Sequence, residues 1–116
     1  MRTSILQELT TVKGTVTITQ DESGWIEVTD AQDLVVFLDI RSVSGTATIV
    51  FQTSPTKDDA LFQTMTTGTT IAVTVTTVKI LLSSAAVPPA RWVRWQIQAS
   101  GAWDSTFRAY IAINGK

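Results

Sequence analysis

Between Arg91 and Ile97 the chain reads Arg-Trp-Val-Arg-Trp-Gln-Ile, a strict two-residue alternation that carries its largest side chains. Successive side chains of a strand point to opposite faces, so Val93, Trp95 and Ile97 share one face and Trp92, Arg94 and Gln96 the other. The first face is built for a core, with Trp95 central. Pro88-Pro89 just upstream ends whatever precedes, because proline cannot donate to a ladder and holds its predecessor extended.

The same period recurs along the chain, carried by threonine. Runs such as Thr15-Val16-Thr17-Ile18-Thr19 and Thr74-Val75-Thr76-Thr77-Val78 place β-branched residues where a pleated backbone favours them and hydroxyls on the wet face. Val16 and Ile18 mark a first strand. Gln20-Asp21-Glu22-Ser23-Gly24 is a polar turn, and Trp25 to Val28 resumes extended, so the two pieces are expected to pair as a hairpin. Leu34, Val36, Leu38 and Ile40 face one way and Val35, Phe37, Asp39 and Arg41 the other. Apolar residues on both sides of Val35-Val36-Phe37 predict a central strand covered on both faces along part of its length. Ser44-Gly45 then suggests a second hairpin, to Thr46–Thr53 with Ala47, Ile49 and Phe51 inward.

Farther on, Ala60 to Met65 reads as a strand with Leu61 toward the core. Ile71, Val73 and Val75 hold one parity and Val78, Ile80 and Leu82 the other, which requires a bulge or turn near Thr76-Thr77. Ala99 to Asp104 reads as a turn, which makes Trp103 the tryptophan expected to be most exposed. Phe107, Ala109, Ile111 and Ile113 then point inward, with Arg108 and Tyr110 outward. Eight or nine short strands with no helix between them predict an all-β, antiparallel two-sheet β-sandwich of jelly-roll or Greek-key type. Residues 1–12 are either an N-terminal arm laid on a neighbour, with Ile5, Leu6 and Leu9 as its apolar contacts, or a terminal strand. Residues 13–116 form the single domain.

Composition narrows the chemistry. The chain has neither histidine nor cysteine, so Ser-His-Asp and Cys-His catalysis and zinc sites built on imidazole or thiolate are excluded. Charged residues are only 16%, with 9 basic against 10 acidic and no basic cluster, which argues against a nucleic-acid partner. No apolar run is long enough to span a membrane. Gln7 and Glu8 interrupt the only N-terminal apolar stretch, so use without export is expected. Asp21-Glu22 and Asp58-Asp59 read as charged loops, since calcium needs six or more spaced oxygens. Glu27 and Asp39 are the one carboxylate pair that could meet across a sheet face for glycoside chemistry. No catalytic residue, cofactor or metal is expected.

Two stretches together resemble small β-sandwich structural proteins of tailed bacteriophages. Val43-Ser44-Gly45-Thr46-Ala47-Thr48-Ile49-Val50-Phe51-Gln52-Thr53-Ser54-Pro55 is similar to a strand-turn-strand ending in Gln-x-Ser-Pro, and Ala90-Arg91-Trp92-Val93-Arg94-Trp95 to an Arg-aromatic-Val-Arg strand. Thr56-Lys57-Asp58-Asp59 stands where that pattern often has a glycine-rich turn and an aromatic. The resemblance implies a non-enzymatic virion component, made in the bacterial cytoplasm, such as a capsid decoration protein or an accessory protein of the head or tail. Its implied partners are the major capsid protein or other virion subunits, and a homo-oligomer, by analogy a trimer. A competing reading is a carbohydrate-binding module, with Trp25, Trp92, Trp103 and Tyr110 as stacking faces and Arg94, Arg108 and Asp104 as polar partners. The same residues are equally candidates for a subunit interface.

Overall fold

The computed structural model describes residues 2–28, 31–64, 69–72, 78–82, 90–99 and 101–115. They form ten strands: β1 (Arg2–Gly14), β2 (Ile18–Thr19), β3 (Ile26–Glu27), β4 (Ala31–Ser44), β5 (Thr46–Ser54), β6 (Gln63–Thr64), β7 (Thr69–Ala72), β8 (Val78–Leu82), β9 (Trp92–Gln98) and β10 (Trp103–Gly115). Single 3-10 turns occupy Glu22–Gly24 and Asp59–Leu61.

All pairings are antiparallel and define two sheets. One has the order β1-β10-β4-β8. The other is centred on β9 and β5, with β2 and β3 on the far edge of β9 and β6 and β7 on the far edge of β5. Taking each broken edge as one strand leaves eight positions. In chain order the first sheet runs first, eighth, third, sixth, and the second runs second, seventh, fourth, fifth. That is the order of a jelly roll, a double-sheet solution to the exposed-edge problem.

The core lies between the sheets and follows from the alternation. Leu34, Val36, Leu38 and Ile40 of β4 and Phe107, Ala109, Ile111 and Ile113 of β10 face Ile49 and Phe51 of β5 and Val93, Trp95 and Ile97 of β9. Trp95 meets Phe107 edge to face across the gap, with centroids 5.3 Å apart and planes at 85°, the geometry that the aromatic quadrupole prefers.

Both expected hairpins are absent. β2 and β3 run in the same direction along β9, pairing Ile18 with Ile97 and Ile26 with Val93. Residues 21–25 are therefore an outward bulge in one edge strand, and Val16 lies outside it, 64% exposed. β4 and β5 belong to opposite sheets. Gly45 makes the crossing at φ +78°, and a Cβ there would lie 3.0 Å from Trp103 Cα, so the site needs glycine for both conformation and space. Leu61 does not reach the core. It sits in a 3-10 turn capped by Asp58 and is 47% exposed. The phase change expected near Thr76-Thr77 lies outside the described residues; on either side of it β7 pairs with β5 and β8 with β4.

Residues 2–14 are a strand hydrogen-bonded along β10, with register shifts between Ile5 and Gln7 and between Gln7 and Thr10. Leu6, at the first shift, is buried, whereas Ile5 and Leu9 are 50% and 58% exposed. Beneath the shift lies Gln20, buried to 4% exposure. Its Nε2 donates to Leu6 O at 2.7 Å and to Gly24 O at 3.0 Å, while its Oε1 accepts from Trp95 N at 3.1 Å. One carboxamide thus joins an edge of the first sheet to the centre of the second.

Candidate functional site

The aromatic and basic candidates do not converge on one surface. Arg94 projects from the outer face of β9, yet it is 3% exposed. Its Nε donates to Gln52 Oε1 at 2.8 Å, its Nη1 pairs with the Asp59 carboxylate, and its guanidinium lies 3.9 Å from the Phe62 centroid and 5.1 Å from that of Trp25. Trp25 and Phe62 themselves meet edge to face at 4.7 Å. Trp25 Nε1 donates to Gln20 O at 2.8 Å. The two 3-10 turns are thus clamped onto the second sheet by one buried cation between two rings. Trp25 and Arg94 hold loops.

Trp92 is half-buried under the Lys57 ammonium, 4.4 Å from its ring, with the Arg91 guanidinium at 5.8 Å. Arg91 in turn pairs with Glu27. Trp103 is not exposed. It opens β10 and faces the interior at 4% exposure, because the strand begins at Trp103, before the expected end of the turn at Asp104.

Arg108 and Tyr110 stand on the outer face of the first sheet. Arg108 Nε and Arg41 Nε both donate to Asp39 Oδ2, at 2.8 and 2.9 Å, and Arg108 Nη1 donates to the Tyr110 hydroxyl at 3.2 Å. Burial pushes the Asp39 carboxyl up, but the two guanidinium hydrogen bonds outweigh it and hold the group below the usual carboxylate range. Asp39 and the Tyr110 hydroxyl raise Arg108 correspondingly, the hydrogen bond to Asp39 most. Glu27 and Asp39 lie on opposite sheets, so they do not form a facing pair. Asp21 caps the first 3-10 turn, and its carboxyl is lowered by hydrogen bonds from Ser23. No cluster of three acidic side chains able to hold a metal occurs among the described residues.

What the fold does assemble is a face. Register places Thr3, Ala112 and Val35 in one cross-strand row of the first sheet and Ile5, Tyr110 and Phe37 in the next. The backbone positions of Leu82 and Ile80 on β8 extend these rows. The Arg41-Asp39-Arg108 group closes the end of the surface. Opposed residues of a sheet share a face, so this one is apolar at its centre and carries the Arg41-Asp39-Arg108 group, with one net positive charge, at one end. No layer of the described residues covers it. The outer face of the second sheet is its opposite: Gln52, Gln96, Gln98 and Thr48 line it, and the clamped loops cover one end.

Sequence reasoning named Ile5, Arg108 and Tyr110 but not Val35 or Phe37 as contact residues. The signal was the two-sided apolarity of β4. No protein-family model matches the chain, and no curated protein matches it.

Proposed function

We propose that this chain is a non-enzymatic structural subunit of a tailed-bacteriophage virion, a capsid decoration or stabilisation protein that works through protein-protein contacts on a symmetric lattice. One observation carries the reading. β4 has an apolar pattern on both faces, and among the described residues only the inner one is covered by a second layer, with Ile5, Phe37 and Tyr110 side by side on the outer face. An apolar patch rimmed by charge is what an interaction surface requires.

Two further points support it. The jelly roll is an architecture that viral capsid and lectin domains use, although architecture alone assigns no task. The two stretches that carry the phage resemblance are also neighbours in space, Gln52 opposite Arg94 and Ser54 opposite Trp92. The partners are other virion subunits, the major capsid protein first, and further copies of this chain, with a trimer as the expected form. Repetition on a lattice then multiplies modest single contacts.

Light scattering should give a mass above that of one chain. Phe37→Lys should return it to a monomer with its β-sheet spectrum intact. Mass spectrometry of purified particles from a phage encoding the chain should count it in many copies. A chain absent from such particles, and monomeric with or without Phe37→Lys, would sink the proposal.

A further inference from the structure

We infer that the outer face of the β2-β9-β5 sheet carries a binding groove for a neutral, polyhydroxylated ligand: a short segment of glycan. The groove, of about 640 Å³, crosses β9 and is lined by Thr17, Thr46, Thr48, Gln96 and Gln98 with two alanines. It lies at the end of the sheet away from the Trp25-Arg94-Phe62 clamp, and it does not depend on the assembly role of the other sheet.

The chemistry follows from how the amides are tied. Gln96 Oε1 accepts from Gln98 Nε2 at 2.9 Å and from Gln52 Nε2 at 3.3 Å, while Gln96 Nε2 donates to Thr19 Oγ1 at 3.0 Å. The Gln96 amide is therefore held in one orientation, and that in turn orients Gln98. A carboxamide has two N–H donors and a two-lone-pair oxygen. Gln98 uses one N–H, so one donor remains, next to an Oε1 that no donor reaches among the described residues. A donor and an acceptor on one planar group form the pattern that takes two adjacent hydroxyls of a sugar ring. Thr48, opposite Gln98 on β5, adds a hydroxyl across the strand. Cross-strand spacing of about 4.8 Å is comparable with the breadth of one sugar ring.

Other ligand classes fit poorly. Among the described residues, no charged side chain lines the groove. The cation of the same strand, Arg94, is occupied by Asp59 and Gln52 and covered by two rings, so an anion has no counter-charge. An apolar ligand would strip water from the amides without replacing their hydrogen bonds. An extended peptide pairs with a sheet edge, whereas this is a sheet face. Orienting the amides in advance lowers the ordering cost of binding.

The experiment is a titration of the intact ¹⁵N-labelled chain with neutral trisaccharides of gluco, manno, galacto and N-acetylglucosamine type, followed through the side-chain amide signals of Gln96 and Gln98. A sulfated trisaccharide and an extended Thr/Val peptide serve as rival probes. At least one neutral sugar should shift both amides along a saturable curve, with a Kd at or below the millimolar range. Gln98→Ala, an exposed position that the fold tolerates, should weaken binding by about tenfold, equivalent to ~1.4 kcal/mol. Lys57→Ala, beside Trp92, should leave it unchanged. No shift with any neutral sugar, preference for the sulfated probe or the peptide, or shifts centred on Trp92 would each overturn the inference.

Discussion

Two residues carry more of the architecture than their types suggest. Gln20 satisfies Leu6 O and Trp95 N in buried surroundings and Gly24 O in a part-buried one. Leaving buried polar groups unpaired costs about 1–3 kcal/mol each, so Gln20→Ala should lower unfolding stability by roughly 2–4 kcal/mol in denaturant titration. Gln20→Glu should be worse at neutral pH, because a carboxylate cannot donate to Leu6 O. It should recover in part as acid protonates the new side chain. Gly45→Ala should cost about 1–3 kcal/mol from backbone strain alone, and more once the backbone at Ala102 O and Trp103 has to move. Neither role could be seen in the sequence. Gln20 sits in a polar run that reads as a turn, and its partners lie 14 and 75 positions away. Gly45 was legible as a turn glycine, but a two-residue link looks the same whether it closes a hairpin or crosses a sandwich.

At the scale of elements, alternation revealed the faces correctly and connection length did not reveal the pairing. The inward set on β4, β5, β9 and β10 is the one that period two predicts. The edges were harder to read: β2 and β3 are one edge interrupted by a bulge that imitates a hairpin turn, and β6 and β7 both lie along the same strand, β5. Arg94 shows how those interruptions are held. Arg94→Lys keeps the charge but loses the planar fork that stacks between Trp25 and Phe62 while binding Gln52 and Asp59. It should cost about 1–3 kcal/mol and release residues 20–25 and 55–62 to faster hydrogen exchange, with β10 unaffected. On the other sheet, the Asp39 carboxyl is held below its unfolded value. Its contribution is therefore complete above about pH 4 and fades as pH falls through the depressed value. Because Arg41 and Arg108 are 56% and 37% exposed, the contribution is about 1 kcal/mol or less. Asp39→Asn should flatten the acid limb of a stability-against-pH curve by that amount.

For the molecule as a whole, the topology sets the folding order. β10 completes the first sheet only by inserting between β1 and β4, the earliest and middle parts of the chain. Contacts of such separation are slow to form, so refolding after dilution from denaturant should take milliseconds to seconds. A microsecond refolding phase that accounts for the full amplitude would contradict this. The asymmetry of the two outer faces is also a property of the whole: one apolar and, among the described residues, without a covering layer, one amide-lined and partly roofed. The apolar half was legible in β4 as a strand with too many hydrophobic residues for one core. The amide half was not, because Gln52, Gln96 and Gln98 come from two strands and meet only once β5 lies beside β9.

The β1-β10 pair also fixes how the domain would respond to a mechanical load. Arg2 lies opposite Ile113, so the two strand ends emerge together from the same end of the sheet. Tension applied through those ends would peel the ladder one rung at a time, which takes little force. The same load spread across the Ile5-Tyr110-Phe37 face would engage many rungs at once, so the domain is soft when pulled by its ends and stiff when clamped by its side.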